Sequence, residues 1–140
     1  MENKIDKFKG KYHFLSNFHQ APIVHEGILY RNNEAAFQAN KLKDVEKRNS
    51  FSHLDPSLAK RKGRRVNLRD DWEDIKDNVM YEVCLAKFTQ NPQLKSKLLE
   101  TGDSILIEGN TWNDTYWGVC KGKGKNMLGK ILMKVREEIK

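Results

Sequence analysis

The chain has 140 residues, 38% hydrophobic and 32% charged, with a formal net charge of +7 and a pI near 9.4. That length suits one domain over residues 1–140, able to bury roughly two thirds of its unfolded surface. No apolar run is long enough to span a bilayer and MENKIDKFKG has no signal-peptide core, so a cytoplasmic protein with no membrane partner is expected. The cysteines (Cys84, Cys120) lie far apart and the histidines (His13, His19, His25, His53) are scattered without metal-ligand spacing, so reduced thiols and no metal or other cofactor are expected. The positive charge favours anionic partners: nucleotides, phosphosugars or nucleic acid.

In chain order, residues 5–30 read as short strands and loops, with Ile23-Val24 and Ile28-Leu29-Tyr30 flanking Glu26-Gly27 as a hairpin. Asn32-Asn33 offers an N-cap to a helix running through Glu34, Phe37 and Lys41, and a short helix follows over 45–51. Asp55-Pro56 and Gly63 bracket another short helix. Asp70 and Glu73 make a capping-box-like pair for the longest helix, about 71–90, whose apolar stripe is Trp72, Ile75, Val79, Val83 and Ala86. Asn91-Pro92 ends it and opens a helix that stops near Thr101-Gly102, and residues 104–108 read as a strand with Ile105 and Ile107 on one face. A loop over 109–126, rich in Gly, Asn, Trp and Lys, leads into a last helix carrying Leu128, Ile131, Leu132, Val135 and Ile139. The expected fold class is α+β, a single compact helix-rich domain with a small β-sheet.

Three constellations bear chemistry. Glu34, Gln38 and Lys41, at offsets of four and seven residues, share one helical face, so a carboxylate, an amide and an amine would line a cavity wall; the alternative is a solvated polar stripe. In the segment from Glu108 to Gly118, Trp112 or Trp117 is suited to stack on a base, and Asp114 to act as a base or to stabilise positive charge on a sugar ring. The alternative makes the tryptophans core anchors and Asp114 a turn residue bonding its own backbone. Lys121, Gly122, Lys123, Gly124, Lys125 and Asn126 lead into the last helix with a backbone able to approach phosphate, though not in the P-loop spacing; a flexible basic loop is the alternative. Arg64 follows the helix-ending Gly63, and Lys76 borders the apolar face in line with Met80, Cys84 and Phe88, a position that usually means snorkelling.

Taken in order, these pieces resemble the NADAR family. The matching stretches are Phe14-Leu-Ser-Asn-Phe18, Glu34 with Phe37-Gln-Ala-Asn-Lys41, Ala59-Lys-Arg-Lys-Gly-Arg64, Leu68-Arg-Asp-Asp-Trp72, Lys76, Met80, Lys87-Phe-Thr-Gln-Asn-Pro92, Thr101-Gly102 and Leu106-Ile-Glu108. Asp114, Trp117-Gly118, Gly122, Gly124, Asn126-Met-Leu-Gly129, Leu132-Met133 and Arg136 complete them, so the resemblance covers nearly the whole chain. It implies a compact α+β fold without metal and an N-glycosidase acting on a phosphorylated ribosyl-amine or ADP-ribosyl substrate: early riboflavin-pathway intermediates, or guanine carrying ADP-ribose on its exocyclic amine, including a modified base within nucleic acid. The pocket residues it implies are Asn17, Glu34, Lys41, Arg64, Trp72, Lys76, Glu108, Asp114, Trp117 and Asn126, to which Gln38, Gly118, Gly122 and Gly124 are added from the constellations above. Many relatives carry a His or aromatic residue straight after the glutamate, where this chain has Ala35 and Ala36, which bears on substrate identity more than on reaction class.

Two routes suit such a bond. In one, carboxylates among Glu34, Glu108 and Asp114 stabilise an oxocarbenium ion and protonate the departing nitrogen. In the other, preferred on the ready ring-opening of glycosylamines, Lys41 exchanges onto C1′ as a Schiff base while Glu34 shuttles protons. A binding module for ADP-ribose or NAD that does not cleave it is the main competing class, and nucleic-acid binding through clusters such as 60–65 is a third.

Overall fold

Alternation of apolar and polar residues from Gln20 to Asn32 folds as a hairpin in the computed structural model, which describes residues 3–140. Strands β2 (Gln20–His25) and β3 (Ile28–Asn32) pair antiparallel with Ile23 opposite Tyr30 and His25 opposite Ile28, and the register shifts between Gln20 and Ile23 around Pro22. Glu26 and Gly27 have φ of 49° and 83°, the positive pair that a tight turn needs to match strand twist. The inward residues Ala21, Ile23, Ile28 and Tyr30 are buried.

The remaining strands are very short. β1 (Lys4–Ile5) pairs parallel with β4 (Ile105–Leu106), and β5 (Gly109–Asn110) pairs parallel with β6 (Val119–Cys120). Among the described residues the expected small sheet is thus three two-stranded ones. Ile105 and Ile107 do share a face, but the fully buried residue is Leu106 between them.

Among the described residues, six helices supply most of the core: α1 (Asn33–Ala39), α2 (Val45–Asn49), α3 (Pro56–Gly63), α4 (Trp72–Gln90), α5 (Pro92–Glu100) and α6 (Met127–Glu138), with a 3-10 helix at Gly10–Leu15. The fold is therefore α+β and helix-rich. α4 and α6 pack together, α1 lies between α3 and α4, and Val79, Met80, Val83, Cys84 and Phe88 of α4 join Leu128, Ile131, Leu132 and Val135 of α6 in one core. The α4 face that is buried turns past the expected stripe toward Met80, Cys84, Lys87 and Phe88, leaving Ile75 and Ala86 half-buried. No helix among the described residues is long and apolar enough to cross a membrane.

Two local expectations need correction. The capping box at Asp70 and Glu73 does not form: Asp71 holds the N-cap position without a side-chain cap, Arg69 takes its carboxylate at 2.6 and 3.2 Å, and Glu73 pairs with Lys76 at 2.7 Å. Helix α1 ends at Ala39, before Lys41. Asn40 turns its side chain back onto the Ala36 carbonyl at 2.7 Å, and Lys41 N bonds Gln38 O in a tightened last turn, which rotates Lys41 off the Glu34–Gln38 face.

The start of α1 is firmly set. Asn32 accepts from Ala35 N at 2.7 Å and donates to Leu54 O at 3.0 Å, so one side chain caps the helix and ties it to the chain before α3. Asn32→Ala should lower stability by about 1–2 kcal/mol, read as a shift of the urea midpoint at unchanged slope.

Candidate active site

Helices α1, α3, α4 and α6, the segment 8–18 and the loop 108–117 enclose a cavity of about 380 Å³. Asn17, Glu34, Phe37, Gln38, Met80 and Leu128 form its buried floor. Half-buried Glu108, Asp114 and Trp117 line it from the loop, and Lys9, His13 and Trp112 are exposed around its opening.

Glu34 is held by its helix. Its backbone N–H bonds the Asn17 carbonyl at 3.1 Å, and Gln38, one turn on, donates Nε2 to Glu34 Oε2 at 2.7 Å. Asn33 Nδ2 reaches Asn17 Oδ1 at 2.8 Å and Cys84 Sγ at 3.4 Å, binding the 16–18 segment to α1 and α4. Lys87, buried on α4, donates to the Ser16 carbonyl at 2.9 Å; burial lowers its pKa to about 8. Burial raises the Glu34 pKa, against the opposing pull of Gln38, Lys60 and Lys41. Gly63 lies against the Gln38 side chain, where a Cβ would collide with it, so the bare backbone of α3 fixes how close α3 and α1 approach.

Glu108 is positioned by a polar bracket. Asn126 Oδ1 accepts from Glu108 N at 3.0 Å while its Nδ2 donates to Leu106 O at 2.9 Å, and Asn110 Nδ2 donates to Glu108 Oε2 at 2.9 Å. Asn126 adopts a left-handed backbone at φ 55° to do this. Burial, with Asp114 and Glu34 nearby, pushes the Glu108 pKa up to about 7, outweighing Asn110 and Lys60. Asp114 Oδ1 accepts from Tyr116 N at 3.1 Å and Trp117 N at 2.9 Å, so it is the turn residue of the alternative reading and also a cavity carboxylate. Trp117 packs edge-on against Phe37 with centroids 5.3 Å apart, serving core and cavity together, whereas Trp112 is 50% exposed.

Of the sequence-derived candidates, Asn17, Glu34, Gln38, Glu108, Asp114 and Trp117 meet in this cavity. Trp72 stands behind it, buried against Phe37 at 5.2 Å. Gly118 and Asn126 pack on Glu108 rather than facing the opening. Lys76 pairs with Glu73 and sits 4.1 Å above the Tyr116 ring, and Arg64 is exposed at the C-cap of α3. Gly122 and Gly124 take φ of 76° and 149°; Gly122 borders a separate groove and Gly124 packs against the Gly118 carbonyl. Lys41 donates to Gly63 O at 3.3 Å and lines a neighbouring groove with Arg69; burial lowers its pKa, opposed by Glu34. Sequence reasoning passed over Phe8, Lys9, His13, Ser16 and Lys60 as cavity residues and Asn110 as the hub of the loop. Only Lys60 had a usable signal: it borders Ala59 and Gly63, whose small side chains at a four-residue spacing mark the packed face of α3.

The family model described as NADAR domain matches residues 5–140. N-glycosidase YbiA of Escherichia coli (strain K12) is 40% identical over 132 residues, covering 91% of this chain and 82% of that protein. The chloroplastic riboflavin biosynthesis protein PYRR of Arabidopsis thaliana is 38% identical over 133 residues, covering 91% of this chain but 22% of that longer protein. The NMR structure of E. coli YbiA superposes with a TM-score of 0.86 at 38% identity, covering 99% of this chain and 86% of that one. The chain belongs to the NADAR domain family.

Proposed function

We propose that this protein is a cytoplasmic N-glycosidase, with residues 1–140 forming a single domain, that hydrolyses the bond between a phosphorylated ribose and an exocyclic amine. That it is a hydrolase of N-glycosyl bonds is supported by its family and by relatives named N-glycosidase. The observation that carries the chemistry is the meeting of Glu34, Glu108 and Asp114 in one aromatic-lined cavity, with Glu108 titrating at about 7. Relatives named as riboflavin biosynthesis proteins support a ribosylamino-pyrimidine as one substrate; guanine bearing ADP-ribose on its amine, free or within nucleic acid, is the other.

Glu108 protonates the departing nitrogen, the C1′–N bond breaks, and Glu34 and Asp114 face the oxocarbenium ion until water adds to C1′ and gives its proton back to the Glu108 carboxylate. Developing positive charge at C1′ itself favours ionised Glu34, in concert with the N–H of Gln38. Asn17 and Gln38 bound the sugar site, and Trp112 or Trp117 offers a stacking face to the heterocycle. Lys41 donates to Gly63 O and lines a neighbouring groove instead of the cavity that holds Glu34, Glu108 and Asp114, so the carboxylate route is preferred over a Schiff base on Lys41.

The test is to incubate the protein with a phosphoribosylamino-pyrimidine and with an oligonucleotide carrying ADP-ribosylated guanine, and to follow release by mass spectrometry. Wild type should cleave one of them, and Glu34→Ala should lose at least about 10²-fold in rate. Retained binding of ADP-ribose with no cleavage of either substrate would leave a binding module instead.

A further inference from the structure

The opening of the cavity carries positive charge that the reaction at its floor does not use. Lys9 and His13 are exposed and Lys60 is half-buried, above the buried Glu34 and Gln38. Lys60 Nζ sits 5.7 Å from the Phe18 ring centroid and 5.4 Å from that of Trp112, bracketed by two aromatic rings, and its charge acts on both Glu34 and Glu108. Among the described residues, no carboxylate lies within ion-pair distance of the Lys9 or Lys60 ammonium.

His13 is held in place by a second imidazole. The Nδ1 atoms of His13 and His19 are 2.8 Å apart, so one ring donates to the other. With His19 as the donor, His13 accepts on Nδ1 and carries its own proton on Nε2, which is then a donor for an anionic ligand. The three groups come from two stretches far apart in sequence: Lys9 at the start of the 3-10 helix and His13 within it, and Lys60 on α3. They line one cavity together with the carboxyl groups of Glu34, Glu108 and Asp114.

A cavity with this division of charge orients a ligand that is anionic at one end and becomes cationic at the other. The three carboxyl groups repel a phosphate and attract developing charge at C1′, and the basic groups at the opening do the reverse. We propose that Lys9, His13 and Lys60 bind the phosphoryl group on C5′ of the ribose and set the preference for phosphorylated over unphosphorylated ribosyl-amines. This rests on the N-glycosidase reading for its biological meaning, but its test needs no turnover.

Ribose 5-phosphate and ADP-ribose share the C5′ phosphoryl ester and separate a monoester from a diphosphate. Calorimetric titration of each into wild type, Lys60→Met and Lys60→Arg should show about a tenfold weaker Kd for Lys60→Met with at least one ligand, and near wild-type affinity for Lys60→Arg. Lys60→Met keeps the aliphatic contacts with Phe18 and Trp112, so a loss there reports the charge. A drop confined to ribose 5-phosphate assigns the rim to a monoester, and one confined to ADP-ribose to a diphosphate. Unchanged affinity in Lys60→Met, or no binding of either ligand by wild type, overturns the proposal. Because these are binding constants, failure of the cleavage assay leaves the result standing, and cleavage with unchanged affinities sinks the rim alone.

Discussion

Glu108→Gln should lower kcat by about 10²–10⁴ while leaving the fold intact. The amide keeps the shape and still meets Asn110, but it has no proton to give the departing nitrogen. The pH dependence follows from the same group. Glu108 titrates at about 7 in the folded protein, so the acid form is present below that pH and lost above it. Wild-type kcat should therefore fall as pH rises through about 7, and that alkaline limb should vanish in Glu108→Gln. Stability moves in the same direction. An unfolded glutamate releases its proton near ~4.3, so between that pH and about 7 the folded state binds more protons than the unfolded one. The contribution is fully present below the unfolded pKa and is lost as pH rises through the folded one. Thermal melts at acidic and alkaline pH should show Glu108→Gln less sensitive to pH than wild type. A variant with full activity and an unchanged pH profile would remove Glu108 from the acid role.

Much of the fold was legible because it rests on local chemistry. The turn at Glu26-Gly27, the Asn32 and Asp55 caps, Pro at the first turn of α3 and α5, and the apolar face of α6 are all decided within a few residues of sequence. The misplaced details were decided by competition between neighbours. Arg69 outcompetes the backbone for Asp71, and Asn40 folds back to end α1 two residues early, which takes Lys41 off the face it shares with Glu34 on an extended helix.

The site divided along the same line. Glu34 and Gln38 could be paired from their spacing because one helix carries both. Glu108, Asp114 and Trp117 could be grouped because one loop does. That the two groups face each other, with Lys9, His13 and Lys60 around the opening, depends on contacts between segments far apart in sequence, on which periodicity is silent. The glycine-lysine loop illustrates the gap. Its composition suits an anion, yet its positive-φ residues bend the chain so that Asn126 can hold Glu108 from behind.

Gly118→Ala should disable the site from that rear side. A Cβ at Gly118 would fall well inside van der Waals distance of Glu108 Oε2 and the Glu108 carbonyl, and 2.7 Å from Asn110 Nδ2. The carboxylate could swing aside, but the carbonyl cannot, because it accepts from Val119 N at 2.8 Å beside the β5–β6 pair. Relief therefore requires the loop to shift and carries Glu108 with it. Overpacking of this kind costs about 1–3 kcal/mol, and a displacement of about 1 Å at a proton donor costs about 10²-fold in rate. The expected result is a folded protein with a lower melting temperature, near-normal binding of ribose 5-phosphate at the rim, and kcat reduced by at least about 10²-fold. Gly122→Ala is the control: its φ of 76° makes any side chain strained, but no atom stands within 4 Å of the added carbon, so stability should drop with little change in kcat. Equal rate losses in the two variants would mean that loop stiffness, and not the room that Gly118 leaves for Glu108, governs the reaction.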